Sequence, residues 1–373
     1  MTGSNSVTEP PTARFYRPEL DVLRFVAFLM VYLTHAIPAD ASSPHWILAV
    51  SNAAEFGVQV FFVLSAYLIT ELLTREKRTT GRLNAKAFYA RRILRIWPLY
   101  FFALGAGFLY SRLHPTSAFS VQALIAYVLL VGNWYTTRHG YLIYAIVPLW
   151  TVNVEEQFYL VWPMLVRYMT RRALAVVCCV GWAGSQIALI FLCAHHAMFD
   201  PAIWPNSLVH LQYFALGAGV SLFLNGSAPK IRGSLRGLMI VSAFFLLFAS
   251  DFVLNPDGAF GLTSVAHTYP EMLLVGAAVT LMLVGFLNWA VFNGWRSIRY
   301  LGKISYGLYV YHLPCIAILW KVFSHFPKHE SPLAVFALGL PFTIGIAAIS
   351  YRYFESPFLR MKERFEIVKS RAV

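Results

Sequence analysis

The sequence is short of charge. Only 13% of its 373 residues are charged and 58% are hydrophobic, where a soluble domain carries about 25% charged residues. Apolar runs long enough to cross a bilayer recur along the whole chain, which points away from a water-soluble enzyme and toward an integral membrane protein of many helices. No alternating pattern of strands of about 10 residues dominates, which argues against a membrane β-barrel. Cysteine is scarce, and Cys178, Cys179, Cys193 and Cys315 all fall inside apolar runs. They show no metal-ligand spacing and read as buried small side chains, not disulfides or a metal site. A phosphate-cradling glycine loop and a G-x-S-x-G elbow are also missing. The opening "MTGSNSVTEPPTARFYRPEL" lacks the order of a cleaved signal peptide, so the leading apolar run is expected to be a retained span.

What is there is a series of ten clear apolar runs, near 20–37, 55–73, 96–112, 146–166, 173–193, 206–224, 235–254, 271–291, 304–322 and 333–353. A shorter stretch, 119–135, is ambiguous. With the N-terminus inside and 119–135 not changing sides, 25 of the 30 lysines and arginines fall on the inner side, as the positive-inside rule requires. Counting 119–135 as a full span would instead move the Lys/Arg-free segments 194–206 and 255–270 into the cytoplasm. The expected fold is therefore all-α: a polytopic membrane helix bundle of about ten transmembrane helices plus one re-entrant or partial segment, next to an external vestibule. Residues 1–17 are expected to be a cytoplasmic N-terminal segment, 18–354 the membrane domain and 355–373 a cytoplasmic tail. Topology accounts for most of the net charge of +13, so no nucleic-acid partner is expected. The 74–98 loop is denser in base than orientation requires. Lipid headgroups and an anionic cytosolic ligand are equal readings of it.

Several spans carry polar residues that lipid would penalise. Arg24 and His35 are 11 residues apart, about three turns, and share one face of the first span at opposite depths. Singly, they read as a snorkelling arginine and a helix-end histidine. Together they favour a polar path through the bundle. Asp21 sits three residues before Arg24 and can pair with it. In "PLWTVNVEEQFYLVWP" the adjacent Glu155 and Glu156 point about 100° apart and cannot share one environment. Each is open to a cavity role or to a structural one. In "LGKISYGLYVYHLP", Ser305, Tyr309 and His312 form one polar stripe, which reads first as helix-packing contacts. Ser65 and Ala66 are small residues suited to tight helix contact, with Glu55 at the outer mouth of that span.

Taken in order and spacing, "ELDVLRFVAFLMVYLTHA", "FGVQVFFVLSAYLITELL", "FYARRILRIWPLY", "GNW", "LWTVNVEEQFYLVWP", "LGKISYGLYVYHLP" and "RYFESPFLR" resemble acyltransferase family 3. These are multi-span membrane O-acyltransferases, and the resemblance covers about 18 to 360. It implies transfer of an acyl group, often acetyl, from cytosolic acyl-CoA to a hydroxyl of a carbohydrate across the membrane, or of a macrolide antibiotic. The family's first-helix arginine and histidine fall on Arg24 and His35. Its basic cluster falls on Arg91, Arg92 and Arg95, and its Ser-Tyr-Gly motif on Ser305, Tyr306 and Gly307. Two departures bear on cavity shape: Ala66 stands for the usual glycine, and Thr151-Val152-Asn153 for the usual Ser-Leu-Ser. The bacterial inner membrane is implied by the resemblance alone.

Thioester attack by a hydroxyl needs a base, donors for the oxyanion and positive charge for the CoA phosphates. Imidazole, titrating near about 6.5, suits the first, and arginine forks suit the last. His35 is accordingly expected to be the general base, or a transient acyl carrier. Arg91, Arg92 and Arg95 are expected to hold the CoA phosphates and Arg24 to flank the pantetheine path. Ser305 and Tyr306 are expected to donate to the thioester carbonyl or line the tunnel, and Glu155 to orient a partner. Acyl-CoA is then a co-substrate, and no tightly bound cofactor or metal is expected. A transporter or flippase is the rival class, but its usual repeat symmetry is not evident. A non-catalytic membrane scaffold is a third.

Overall fold

The computed structural model describes residues 15–37, 43–114, 119–196, 200–254, 265–325 and 332–368. Residues 1–14 of the expected N-terminal segment, 369–373 of the expected tail and most of the 255–270 loop lie outside the described residues. Among the described residues every regular element is helical. The helices are α1 (Pro18–Ala36), α2 (His45–Glu55), α3 (Gly57–Thr80), α4 (Ala85–Leu113), α5 (Val121–Val128), α6 (Gly132–His139), α7 (Leu149–Tyr168) and α8 (Arg171–Cys193). They continue with α9 (Ser207–Leu224), α10 (Gly233–Leu254), α11 (Val265–Phe286), α12 (Arg296–Lys303), α13 (Ser305–Phe323), α14 (Pro332–Ser350) and α15 (Ser356–Lys362). A π-helical turn, Tyr351–Glu355, joins the last two.

Each of the ten expected runs falls on a helix, and eight helical stretches are long and apolar enough to cross a membrane. The other two, α1 and α7, are 19 and 20 residues long but too polar. One carries Glu19, Asp21 and Arg24; the other carries Asn153, Glu155, Glu156 and Gln157. Both must therefore find polar company inside the bundle. Outward faces remain apolar, as lipid contact requires: Ile187 is 71% and Phe223 83% exposed.

The 119–135 stretch does not form a span. It folds as α5 and α6, of 8 residues each, separated by a break at Leu130 with φ of 60°. Eight helical residues reach about 12 Å, well short of a hydrocarbon core of about 30 Å. The broken backbone is satisfied by other helices, as buried irregular chain must be. The Gln157 amide donates to the Leu130 carbonyl (3.0 Å) and to Asn133 Oδ1 (2.8 Å). The Gly132 N–H donates to Asn153 Oδ1 (3.3 Å), and the Tyr100 hydroxyl to the Tyr127 carbonyl (2.7 Å). Two of the four polar residues of α7 thus serve this break.

Within the basic 74–98 stretch, Lys77 and Arg78 close helix ends. Lys77 Nζ donates to the carbonyls of Val166 (2.8 Å) and Met169 (2.9 Å) at the end of α7. Arg78 donates to the Asn225 carbonyl (2.6 Å) at the end of α9. Cations at helix C-termini satisfy orphan carbonyls and oppose the helix dipole. Arg75 lies 3.7 Å from the Glu71 carboxylate. The stretch is also not the expected loop: 74–80 belong to α3 and 85–98 to α4, leaving only 81–84 between them, and lipid and ligand are not the only uses of its basic residues. Ala66 is fully buried against α9, where a Cβ on Gly217 would lie 2.1 Å from the Val63 carbonyl oxygen and 3.0 Å from Ala66 Cβ. Only glycine at 217 permits that approach. The leading helix α1 packs against α2, α3, α12, α13 and α14, which sets it among the other helices and not at their edge.

Candidate active site

Three cavities follow one another along α1. The basic cavity, about 130 Å³, is lined by Arg17, Arg24, Arg91, Arg92, Arg95, Lys303 and Lys362, with Asp21 and Glu355 the carboxylates opposing them. The central cavity, also about 130 Å³, is lined by Arg24, Ser65, Arg92, Arg95, Glu155, Ser305, Tyr306 and Tyr309 among others. The third, about 400 Å³, holds His35 with Thr34, Glu55, Tyr141, Trp150, Trp204 and Tyr309. Arg24, Leu68, Arg92, Arg95 and Tyr306 belong to both the basic and the central cavity. Val58 and Tyr309 belong to both the central and the His35 cavity. Asp21, Arg24, Thr34 and His35 of α1 thus face a row of cavities, basic at one end and closed by His35 at the other.

Arg24 Nη1 pairs with Asp21 Oδ1 at 2.6 Å, one turn back on the same helix. The Tyr16 hydroxyl donates to the other carboxylate oxygen at 2.8 Å. Burial, and then Asp21, push the Tyr16 phenol up from its ordinary pKa, so it stays a donor there. The guanidinium is thereby held at the junction of the basic and central cavities. His35 Nδ1 lies 2.8 Å from the Val31 carbonyl. A carbonyl only accepts, so Nδ1 carries the hydrogen, and in the neutral ring Nε2 is the nitrogen with the lone pair. The ring of fully buried His312 meets that of His35 edge-on at 5.2 Å and fixes its plane.

The three arginines of the α4 cluster part company. Arg91 is buried, donates to the Phe365 carbonyl (2.6 Å) and lies 3.5 Å from Glu76. It borders the basic cavity while tying α4 to α3 and the chain's last described turn. Arg92 and Arg95 line both the basic and the central cavity, with Arg92 over the Tyr159 ring at 5.3 Å.

The two glutamates separate as their 100° offset requires. Glu155 faces the central cavity and accepts from Ser65 (2.9 Å) and Tyr159 (2.9 Å). Glu156 is buried and accepts from the Trp97 indole (3.1 Å). Ser305 faces the central cavity. The Tyr306 hydroxyl donates to the Ile96 carbonyl at 2.9 Å, so its proton is already directed away from the cavity and its ring serves as wall. Two residues read from sequence as packing residues border these cavities. Tyr309, read as a packing residue, is the partition between the central and His35 cavities, its hydroxyl 3.0 Å from Thr151 Oγ1. Ser65, read as a small packing residue, holds Glu155. The i, i+4 spacing of Ser305 and Tyr309 was the available signal for the first; the second needed the α3–α7 contact.

A family model described as an acyltransferase domain matches residues 17–352. The chain belongs to acyltransferase family 3. The O-acetyltransferase OatA of Staphylococcus aureus strain NCTC 8325 is 26% identical over 369 residues, covering 92% of this chain and 57% of that protein. OatA of strain COL matches to the same extent. SAS0844 of S. aureus strain MSSA476, named a candidate O-acetyltransferase, is 26% identical over 367 residues with the same coverage. The chain thus spans 57% of the length of these relatives. No solved structure matches it. Within the family domain, all eight residues expected to act, Arg24, His35, Arg91, Arg92, Arg95, Glu155, Ser305 and Tyr306, border the row of cavities.

Proposed function

We propose that this chain is a membrane O-acyltransferase that moves an acyl group, acetyl by analogy with its named relatives, from acyl-CoA to a hydroxyl of a carbohydrate acceptor. The observation that carries this reading is the row of cavities along α1, arginine-rich at one end and ending on an imidazole with a presented lone pair. The CoA phosphates sit in the basic cavity against Arg92 and Arg95, with Arg91 at its edge. The pantetheine arm passes Arg24 and Tyr306 and brings the thioester into the central cavity toward Tyr309. The acceptor hydroxyl enters the His35 cavity.

His35 Nε2 takes the hydroxyl proton as the oxygen attacks the acyl carbon. Ser305 donates to the thioester oxygen as its charge grows. The carbon–sulfur bond breaks, the CoA thiolate leaves, and the proton held on His35 passes to it. Glu155 keeps Tyr159 and the nearby Arg92 in place. The positive-inside rule supports a basic cavity facing the cytoplasm, where acyl-CoA is found, and a His35 cavity facing out, and the family resemblance supports a bacterial inner membrane. Purified protein given radiolabelled acetyl-CoA and a glycan extract is expected to label the glycan, and His35→Ala to lower that rate by about 10²–10⁴-fold, the usual worth of a general base. Movement of a solute that proceeds without acyl-CoA, and no label on any acceptor, would point to a transporter instead.

A further inference from the structure

The two ends of the cavity row differ in charge. Seven lysines and arginines line the basic cavity. Among the described residues none lines the His35 cavity, where Glu55 is the carboxylate. Among the described residues, no hydrogen bond or ion pair engages that carboxylate, which sits half-buried at the end of α2. Facing the same space are Trp150 and Trp204, both 3% exposed and held edge-to-face with centroids 6.4 Å apart. Trp150 is in turn stacked on the buried His210 ring at 5.5 Å. These rings are rigid apolar walls with little freedom to rearrange. Burial first and Glu55 second push the Tyr141 phenol up, so Tyr141 stays a neutral hydroxyl beside the carboxylate.

A site built this way has a fixed preference. The apolar walls suit the flat face of a sugar ring, and a carboxylate without a bound cation accepts from one or two ring hydroxyls. An acceptor bearing its own carboxylate or phosphate meets Glu55 with no lysine or arginine among the described lining residues to offset the repulsion. We infer that Glu55 is a specificity-determining residue: the His35 cavity takes hydroxyl-rich sugar units that carry no negative charge and rejects anionic ones. This rests on the acyl-transfer reading for its substrate, but the preference is measurable as binding alone. The same asymmetry keeps CoA phosphates from entering at the His35 end.

The test uses the full chain in detergent with methyl β-glucoside and methyl β-glucuronide, which differ by a carboxylate. Two quantities are read: label transferred from radiolabelled acetyl-CoA, and direct binding by saturation-transfer NMR. The wild type is expected to favour the glucoside by at least about tenfold. Glu55→Gln is expected to bring the two within about threefold by admitting the glucuronide, while Glu55→Asp keeps the preference. Equal use or binding of the two by the wild type, a ratio unchanged in Glu55→Gln, or binding of neither overturns the inference. If label reaches neither glycoside but binding shows the preference, the selectivity stands and the acyl-transfer reading is what fails. If Glu55→Gln does not fold, the wild-type ratio decides.

Discussion

Arg91 and Arg92 are neighbours in sequence, yet they are engaged differently. Arg92 lines two cavities over an aromatic ring, whereas Arg91 is buried between Glu76 and the Phe365 carbonyl. Arg92→Ala is therefore expected to raise the acyl-CoA KM by about 10- to 100-fold, the worth of one or more charge-assisted hydrogen bonds. The remaining donor affinity should fall less steeply with salt than in the wild type. Arg91→Ala is expected to act first on stability, because it leaves Glu76 buried without its cation. Thermal unfolding and donor KM measured on both variants check this; a larger KM effect for Arg91→Ala with unchanged melting would contradict it. The sequence identified the cluster but could not rank its members, since a step of 100° sends adjacent side chains to different partners that other helices supply. Glu155 and Glu156 show the same limit. Their divergence was legible, but which one meets the cavity depends on Ser65 and Trp97, 90 and 59 residues away in the chain.

Among the elements, helix positions were legible because apolar runs long enough for a bilayer leave few alternatives. The partial nature of 119–135 was legible from charge alone, through the basic loops that a full span would have misplaced. What Asn153 and Gln157 do was not, because their partners lie on α6 and in the turn before it. Helix-end closure by basic residues was also hidden, since a lysine in a polar stretch reads the same whether it faces solvent or a carbonyl. Lys77→Met should therefore loosen the end of α7 and the helix carrying Glu155. Loss of two hydrogen bonds and the dipole interaction amounts to about 1–2 kcal/mol, seen as a melting temperature lower by a few degrees. Unaltered melting would mean the contact is not formed. Gly217→Ala should be more severe, because its methyl meets backbone on α3 rather than a flexible side chain.

For the whole molecule, the arrangement that matters is a row of cavities beside one of the two long helices too polar for lipid. α1 and α7 are too polar to be ordinary spans, and their polar residues are spent on those cavities, on the short α5–α6 segment and on contacts with other helices. The proposed transfer needs two sides: a donor entering among arginines and an acceptor entering beside His35 and Glu55. Sidedness can be read with single cysteines in a Cys179→Ser background, since Cys179 is the exposed native thiol. A cysteine at exposed Arg138 should react with an impermeant reagent added outside intact cells, and one at exposed Arg82 only after permeabilisation.

The most direct test is acyl transfer across a closed membrane. Sealed vesicles of one orientation are loaded with a glycan acceptor on the His35 side, and radiolabelled acetyl-CoA is supplied on the arginine side. Labelled glycan should form in that arrangement and be lost in His35→Ala. Label that appears only when donor and acceptor share one side of the membrane would contradict the account.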